Sequence, residues 1–407
     1  MFAGALRRSA LVEVRHSPRF LALMGVMLVA AVGYGARDVS RLRYTTELTG
    51  DALGIGAAAV AFAVGLAVGG LASGPISDRI DPRWILVIGI PLQGLTAIVT
   101  GVLLLQGVTA GEPYLLIAFA DGAFAGACIP PLATTQAAMV PTNARGAAEI
   151  ISILRLGVGA TLGLILAGFS PNQVVTQFAL GVLFCAVAIP LAVIVRPVEL
   201  AGRRDGDDHS RRPLQVIRSL PVLRRVVVAD LVLCVAVPTQ FANVVLASDW
   251  DESLVTPVLA SGVLGVLVGR LALSLSGSHG LVRRELVRSY GTFVVMALVG
   301  IPLIATGIVY DSPWISATIL FIGSSTTAYA QGLLAALVQQ QVPDAVRGRV
   351  TGGMAAARSL LIAGSAALLT AVVVPLSATA AAIFITALAV AALVLLRGFR
   401  GITAEPA

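Results

Sequence analysis

Long apolar segments alternate with short polar segments along the whole chain. Within the apolar segments, polar residues do not alternate with apolar ones, as they would in the strands of an outer-membrane barrel. Each segment has about 20 residues, the length that a helix needs to cross the hydrocarbon core of a bilayer. The pattern predicts twelve spans, numbered 1 to 12, near residues 19–46, 53–77, 84–106, 113–139, 147–169, 173–195, 222–247, 254–276, 287–309, 313–341, 349–374 and 377–397.

Two short motifs recur at nearly the same separation. Val-Gly-x-Leu-Ala at residues 68–72 returns 200 residues later at 268–272, and Val-Pro-x-x-x-Arg-Gly at 140–146 returns 202 residues later at 342–348. Both separations are close to half the chain length. We therefore predict an all-α membrane protein built from two pseudo-symmetric six-helix bundles. The predicted divisions are an N-terminal bundle (1–196), a cytoplasmic central loop (197–221) and a C-terminal bundle (222–407).

The composition agrees with a polytopic membrane protein. Hydrophobic residues make up 57% of the chain and charged residues only 12%, whereas soluble domains have about 25% charged residues. The net charge is +7, and every basic residue is arginine. Because these arginines are spread over the connections between spans, the charge does not indicate a nucleic-acid partner.

The arginines also predict the topology. They occur before span 1, in the loops that follow even-numbered spans and at the C-terminal end, while the opposite loops carry mainly acidic residues. Under the positive-inside rule, both termini are then cytoplasmic. We expect a multi-pass protein of a bacterial-type inner (plasma) membrane.

The sequence offers no signature of an enzyme. Cys128, Cys185 and Cys234 lie in separate apolar runs, without the spacing of a metal site or of a disulfide framework. There is no glycine-rich phosphate loop with a lysine. We therefore predict no catalytic residues, no cofactor and no bound metal.

Span 1 becomes polar in its second half. If the helix enters the membrane near Leu21, Arg37 lies about 24 Å along it. A charge at the centre of a span costs about 2.5–3.5 kcal/mol on insertion scales, so this segment needs a partner or water. The alternative is that the span ends near Ala36 and a solvated loop follows. Helical spacing would place five polar residues on one face: Tyr34, Arg37, Asp38, Arg41 and Thr45.

Asp121 in span 4 is expected at a similar depth. It follows Pro113 by eight residues, about 12 Å. Asp38 can pair with Arg41, three residues away, and Asp121 could then pair with the other arginine. We predict that Tyr34 and the two arginines bind substrate, and that Asp38 and Asp121 couple transport to protons. A permanent structural ion pair is the open alternative.

Further polar residues lie in spans 7 and 10. Asp230 near the inner end of span 7 is a third proton-coupling candidate, or a residue hydrated at a helix end. Arg155 in span 5 and Arg270 in span 8 are expected to reach toward the cytoplasmic surface. Uncharged residues in these spans are predicted to bind substrate by hydrogen bonds, with helix packing as the alternative role: Gln240, Asn243, Ser325, Tyr329 and Gln331.

The connection between spans 2 and 3 carries a family resemblance. Gly-x-x-x-Asp-Arg-x-x-x-Arg at residues 74–83 resembles the signature of the major facilitator superfamily. Asp81 in place of the usual glycine, Leu-Thr-Gly at 48–50 and Val-Pro-Asp-x-x-Arg-Gly-Arg-Val at 342–350 are similar to the macrolide-efflux-like branch of drug:proton antiporters. Residues 157–163 of span 5 lack the proline of the antiporter signature.

The resemblance implies secondary active transport by alternating access, with spans 1, 4, 7 and 10 around a central cavity. It implies that Asp78 holds the cytoplasmic side closed against the N-terminus of span 11. The expected gate consists of Gly74, Asp78, Arg79, Arg83 and Arg358. Arg79 and Arg83 could equally be topology anchors.

The predicted function is proton-coupled export of an amphipathic small molecule by a monomer in the bilayer. One alternative is a carrier for an anionic metabolite or lipid-linked substrate, bound by the arginines of span 1. A different class of protein, a non-transporting membrane sensor or assembly partner, is the second alternative.

Overall fold

The computed structural model describes most of the first half of the chain and parts of the second. The described residues are 16–49, 52–141, 145–170, 172–195, 252–276, 314, 317–318, 320–325, 328–329, 331–332 and 344–368. Predicted spans 7, 9 and 12 and the central loop lie outside these ranges. The predicted division into two bundles and a central loop therefore remains a prediction.

Every regular element in the described ranges is a helix, as predicted. The first six helices correspond to spans 1 to 6, α7 to span 8 and α8 to span 11. Their bounds are α1 Pro18–Thr49, α2 Ala52–Arg79, α3 Pro82–Leu105, α4 Gly111–Ala138, α5 Arg145–Gly168, α6 Gln173–Ile194, α7 Glu252–Ser276 and α8 Asp344–Leu368.

Five of these helices are long and apolar enough to cross a membrane. The qualifying segments are Pro18–Thr45, Gly56–Gly74, Pro82–Leu105, Gly111–Ala138 and Gln173–Ile194, and α5 and α7 contain the shorter apolar stretches Leu154–Gly168 and Ala260–Ala272. Large apolar side chains on the outside of the bundle are exposed, such as Leu166, Val182 and Ile189. An apolar exterior of this extent is typical of a surface in contact with lipid.

The connection between α2 and α3 explains the departure from the family signature. Asp81 is the N-cap of α3, and its carboxylate accepts a hydrogen bond of 3.0 Å from the backbone N–H of Arg83. Pro82 occupies the first helical position, where no N–H is needed. The aspartate in place of the usual glycine therefore starts span 3.

Glycines place the second and fourth helices of the first half in direct backbone contact. The same packing recurs between span 8 and span 10, at residues 200 and 202 positions later in the chain. In each case the glycine lies so close to a carbonyl oxygen that a side chain would require the helices to separate. The contacts are Gly65 with Phe119, Gly69 with Ala123, Gly265 with Phe321 and Gly269 with Ser325. The first repeated motif, which contains Gly69 and Gly269, thus corresponds to a repeated three-dimensional contact.

Helices α1 and α5 form a second glycine-mediated pair. Gly35 of α1 lies against the carbonyl of Ala160, and Gly163 of α5 lies against the carbonyl of Val32. Two of the span-5 glycines that stand without the antiporter proline, Gly159 and Gly163, therefore form the interface with α1. This interface holds the polar half of α1 in position.

The two halves of the chain meet through α8 on α2 and α7 on α5. A Cβ at Gly352 of α8 would lie 3.1 Å from the carbonyl oxygen of Gly70, and one at Gly157 of α5 would lie 3.4 Å from Leu267 of α7. Gly70 and Gly352 lie in the parts of their helices nearer the end of the bundle where α1 begins. Between these contacts and the far end of α1, the halves leave the cavity described below.

Candidate functional site

Helix α1 continues to Thr49, so the polar half of span 1 is helical. Tyr34, Asp38, Arg41 and Thr45 line a cavity. Arg37 differs from the expectation of a single face, because its side chain is buried inside the first half of the chain. The predicted polar face of α1 is therefore divided. Four of its residues line the cavity, and Arg37 is buried beside them.

The buried arginine pairs with Asp121 of α4. Nη1 of Arg37 contacts Oδ1 of Asp121, and their side chains are only 7% and 6% exposed. Residues of α3 complete the polar environment. The Gln93 Oε1 accepts hydrogen bonds of 3.3 Å from both Nη atoms of Arg37, and the Thr96 hydroxyl lies 3.1 Å from Oδ1 of Asp121. This is the pairing that the sequence depth argument expected for Asp121.

Three aromatic rings surround the Arg37 guanidinium. Its Cζ lies 5.2 Å from the ring centroid of Tyr34, 5.1 Å from that of Phe184 and 5.9 Å from that of Phe62. Aromatic faces attract cations, and this attraction is stronger away from water. The rings therefore help to stabilise a charge that the hydrocarbon alone would exclude.

Arg41 connects the buried pair to the cavity. Its Nη2 lies 3.0 Å from Oδ1 of Asp38 and 3.9 Å from Oδ2 of Asp121. The Arg41 side chain is 11% exposed, whereas that of Asp38 is 68% exposed. Its guanidinium also lies 3.9 Å from the ring centroid of Phe62. One arginine thus contacts both an exposed carboxylate on the cavity wall and a carboxylate inside the bundle.

The cavity has a volume of about 550 Å³ and lies between the two halves of the chain. Its walls come from α1, α2 and α5 on one side and from α7 and Leu320 on the other. Its described charged lining residues are Asp38, Arg41 and Arg270, and most of the remaining lining is apolar. This volume is within the range of small-molecule sites, roughly 300–1,000 Å³.

Two arginines differ from the sequence expectation that they reach toward the cytoplasmic surface. Arg270 lines the cavity, so the sequence analysis missed a candidate substrate residue. A signal was available, because Arg270 occupies the place of Gly70 in the repeated motif. Arg155 is buried, and its guanidinium donates to the carbonyl of Ser152 at 3.2 Å.

The other predicted substrate residues are only partly described. The Ser325 hydroxyl donates to the carbonyl of Phe321 at 2.8 Å, within its own helix. Tyr329 and Gln331 are helical and half-buried, and they are not among the described residues that line the cavity. Three predicted residues lie outside the described ranges: Asp230, Gln240 and Asn243.

The predicted gate is described in part. Gly74 is buried in α2, and the described side chain of Arg83 donates to the carbonyl of Ala192 in α6. Asp78 and Arg79 lie in the last turn of α2, but their side chains are outside the description. Arg358 is half-buried in α8, the helix that packs on α2. The role of this group as a gate stays a prediction.

Uncharged and capping residues around the site were missed by the sequence analysis. Besides Gln93 and Thr96, Arg43 donates hydrogen bonds of 2.8–3.2 Å to three carbonyls at the C-terminal end of α5. Ser40 bonds Gln173 and Gln177 of α6 at 2.6 and 2.8 Å. These contacts attach the C-terminal half of α1 to its own half of the chain. In the described ranges, no three His, Cys, Asp or Glu side chains come together as metal ligands would.

Comparisons with solved structures identify the same fold. The human organic anion transporter MFSD10 superposes with a TM-score of 0.69 at 15% identity, over 97% of this chain and 99% of that protein. A bacterial homologue of the iron transporter ferroportin gives a TM-score of 0.67 at 13% identity, over 94% and 99%. The E. coli fucose:proton symporter FucP gives 0.64 at 13%, over 94% and 98%.

A sequence search of curated proteins finds no match. The profile of the Major Facilitator Superfamily matches residues 19–367, which is most of the chain. Members of that family are membrane transporters for small molecules, not enzymes. The chain therefore belongs to the major facilitator superfamily and is a multi-pass membrane transporter.

Proposed function

We propose that the protein carries an amphipathic small molecule with an anionic group, in the same direction as protons, by alternating access. The observation that carries this proposal is the position of Arg41, which lies on the cavity wall within 3.9 Å of the buried Asp121. We further propose that it acts as a monomer in a bacterial-type inner membrane, with both termini in the cytoplasm.

The lining of the cavity supports an amphipathic anion. Arg41 comes from the first half of the chain and Arg270 from the second, whereas Asp38 is the described acidic residue of the lining. Asp38 is already paired with Arg41. Since most other lining residues are apolar, a molecule with an apolar body and a negatively charged group would match both features.

The ion-pair geometry supports coupling to protons. Ionised Asp121 accepts Arg37 and also attracts Arg41, at 3.9 Å. A proton on Asp121 removes that negative charge, so that more of the field of Arg41 is available to an anion in the cavity. Proton binding and anion binding then strengthen each other, and this reciprocity is required by linkage. Ligands that favour the same state are carried in the same direction.

The export predicted from the resemblance to drug:proton antiporters requires the opposite linkage. A cationic amphipathic substrate would compete with protons for a carboxylate, and the two would move in opposite directions. Asp38 is the observation that favours this second candidate, because its side chain is 68% exposed on the cavity wall. The family assignment favours either form of transport over the sensor or assembly alternative.

Transport by purified protein in liposomes would distinguish the candidates. An imposed pH gradient, acidic outside, would be combined with aromatic carboxylates, alkyl sulfonates or tetraphenylphosphonium. The parent would be compared with Arg41→Gln and Asp121→Asn, and with Arg19→Gln, which changes an exposed arginine at the start of α1. Equal thermal stability of the purified variants would serve as the folding control.

The proposal predicts that anions accumulate under the gradient, that Arg41→Gln and Asp121→Asn abolish this accumulation and that Arg19→Gln has no effect. Expulsion of tetraphenylphosphonium that depends on Asp38, with Arg41→Gln harmless, would replace it with the export candidate. Absence of gradient-driven movement of any probe would contradict both.

A further inference from the structure

The Thr96 hydroxyl has two acceptors for one hydrogen. Its Oγ1 lies 2.7 Å from the carbonyl oxygen of Gln93 and 3.1 Å from Oδ1 of Asp121. A hydroxyl has one O–H to donate and two lone pairs to accept. Thr96 can therefore donate to Asp121 when that carboxylate is ionised, or accept from Asp121 while donating to Gln93 when Asp121 is protonated.

Gln93 offers Arg37 a second acceptor beside Asp121. Its Oε1 lies 3.3 Å from both Nη atoms of Arg37, and its side chain is fully buried. Its amide nitrogen donates to the carbonyl of Gly89 at 3.4 Å, which fixes which end of the amide faces the arginine. If the pair with Asp121 opens, Arg37 still has a polar acceptor and three aromatic rings.

An ion pair in a low-dielectric site opens at a high cost if either partner is left without a hydrogen bond. Here the two uncharged residues of α3 can satisfy both partners. We propose that Gln93 and Thr96 are positioning residues that hold the pair open when Asp121 is protonated, Gln93 by retaining Arg37 and Thr96 by accepting the new O–H. The inference rests on the proposed function, because it describes how the coupling pair of that site opens.

The groups around Asp121 allow the hydrogen bonds of Gln93 and Thr96 to be changed without changing the charge near the pair. Among the described residues of the other helices, the charged and titratable groups that act on it are on α1: Arg37, Arg41, Asp38 and Tyr44. From α2 the backbone of Phe62 contacts neighbouring Gly122, and α3 presents the uncharged Gln93 and Thr96. Helices α5 and α8 contact α4 nearer its other end, through Gln136 and Pro130. Changes in α3 thus alter hydrogen bonds to the pair without altering its charge.

The two residues should shift proton binding in opposite directions. Thr96→Val removes a hydrogen bond that is stronger to the ionised carboxylate than to the neutral acid, so protonation becomes easier. Gln93→Met removes the acceptor on which Arg37 depends chiefly when Asp121 is neutral, so protonation becomes harder. Loss of a hydrogen bond to a charged group should shift the midpoint of Asp121 protonation by about one to two pH units.

Infrared difference spectroscopy of the full-length protein in liposomes can follow the Asp121 carboxyl band against pH without any substrate. Asp121→Asn would identify the band. Thr96→Ser keeps the hydroxyl, and Thr100→Val is the matched control, because the buried Thr100 hydroxyl bonds the carbonyl of Thr96 at 2.9 Å. Because no substrate is present, failure of anion transport would overturn the proposed function and leave this result standing.

We expect the midpoint of the band to move to higher pH in Thr96→Val and to lower pH in Gln93→Met, with Thr96→Ser and Thr100→Val unchanged. Shifts in the same direction for Thr96→Val and Gln93→Met would overturn the inference, as would equal shifts in Thr96→Val and Thr96→Ser. An Asp121 band that does not titrate would overturn both the inference and the proposed coupling. If one of the two variants fails to fold, the sign of the shift in the other still decides.

Discussion

Removal of either partner of the Arg37–Asp121 pair is predicted to destabilise the protein more than removal of both. The two side chains are 7% and 6% exposed, so a single substitution deprives a buried charge of its nearest ionic partner. Breaking a buried pair in this way costs about 3–5 kcal/mol. Replacing both partners by apolar side chains is often close to neutral. The variants Arg37→Met, Asp121→Leu and the double substitution therefore form a double-mutant cycle with a large coupling energy.

The two single variants should also differ in their pH dependence. After Arg37→Met, the remaining carboxyl can take up a proton, so the stability loss should decrease at low pH. After Asp121→Leu, the guanidinium cannot lose its proton, so the loss should persist. Reversible unfolding in mixed detergent micelles at two pH values would measure the free energy of unfolding of the parent, the two single variants and the double variant.

The control is Asp38→Asn, which breaks an ion pair whose carboxylate is 68% exposed. Exposed pairs contribute at most about 1 kcal/mol, so its effect should be small. Additive losses in the double variant would contradict the prediction, because they would mean that the two charges do not stabilise each other. Equal losses for Asp38→Asn and Asp121→Leu would refute it as well.

Two further predictions concern helix packing. Gly69→Ala and Gly269→Ala should each lower thermal stability, since a methyl group at either position would meet a carbonyl of the facing helix. Gly25→Ala should not, because a methyl group there would have nothing within 4 Å. Equal melting temperatures for the three variants would contradict the packing. Arg43→Met should accelerate hydrogen exchange in the last turn of α5. The carbonyls at the end of that helix would lose charge-assisted hydrogen bonds worth about 1–3 kcal/mol in total. Unchanged exchange in that turn would show that the cap is dispensable.

The helices could be predicted because their length is fixed by the bilayer. Span 4 was predicted at 113–139 and runs from Gly111 to Ala138, and span 6 was predicted at 173–195 and runs from Gln173 to Ile194. The same rise per residue gave Arg37 and Asp121 similar depths, and the two side chains are in contact. The depth of a side chain can thus be predicted from sequence by counting residues from the point where its helix enters the membrane.

The rest of the site depended on information that the sequence pattern does not contain. Gln93 and Thr96 are uncharged residues in an apolar run, and nothing in their spacing distinguishes hydrogen bonds to the Arg37–Asp121 pair from bonds to the helix backbone. Arg270 reaches the cavity because α7 packs on α5, which is a contact between the halves. Arg37 and Arg41 are four residues apart, yet only the packing of α1 against α4 and α6 decides which of them is buried.

In the proposed mechanism, proton binding at Asp121 and anion binding in the cavity favour each other. The most direct test is proton movement driven by substrate alone, in liposomes that contain the protein and an internal pH indicator, with no initial pH gradient. Addition of an organic anion outside should acidify the interior with the parent protein and with Arg19→Gln, but not with Asp121→Asn. Anion movement without acidification, or acidification that persists in Asp121→Asn, would contradict the account.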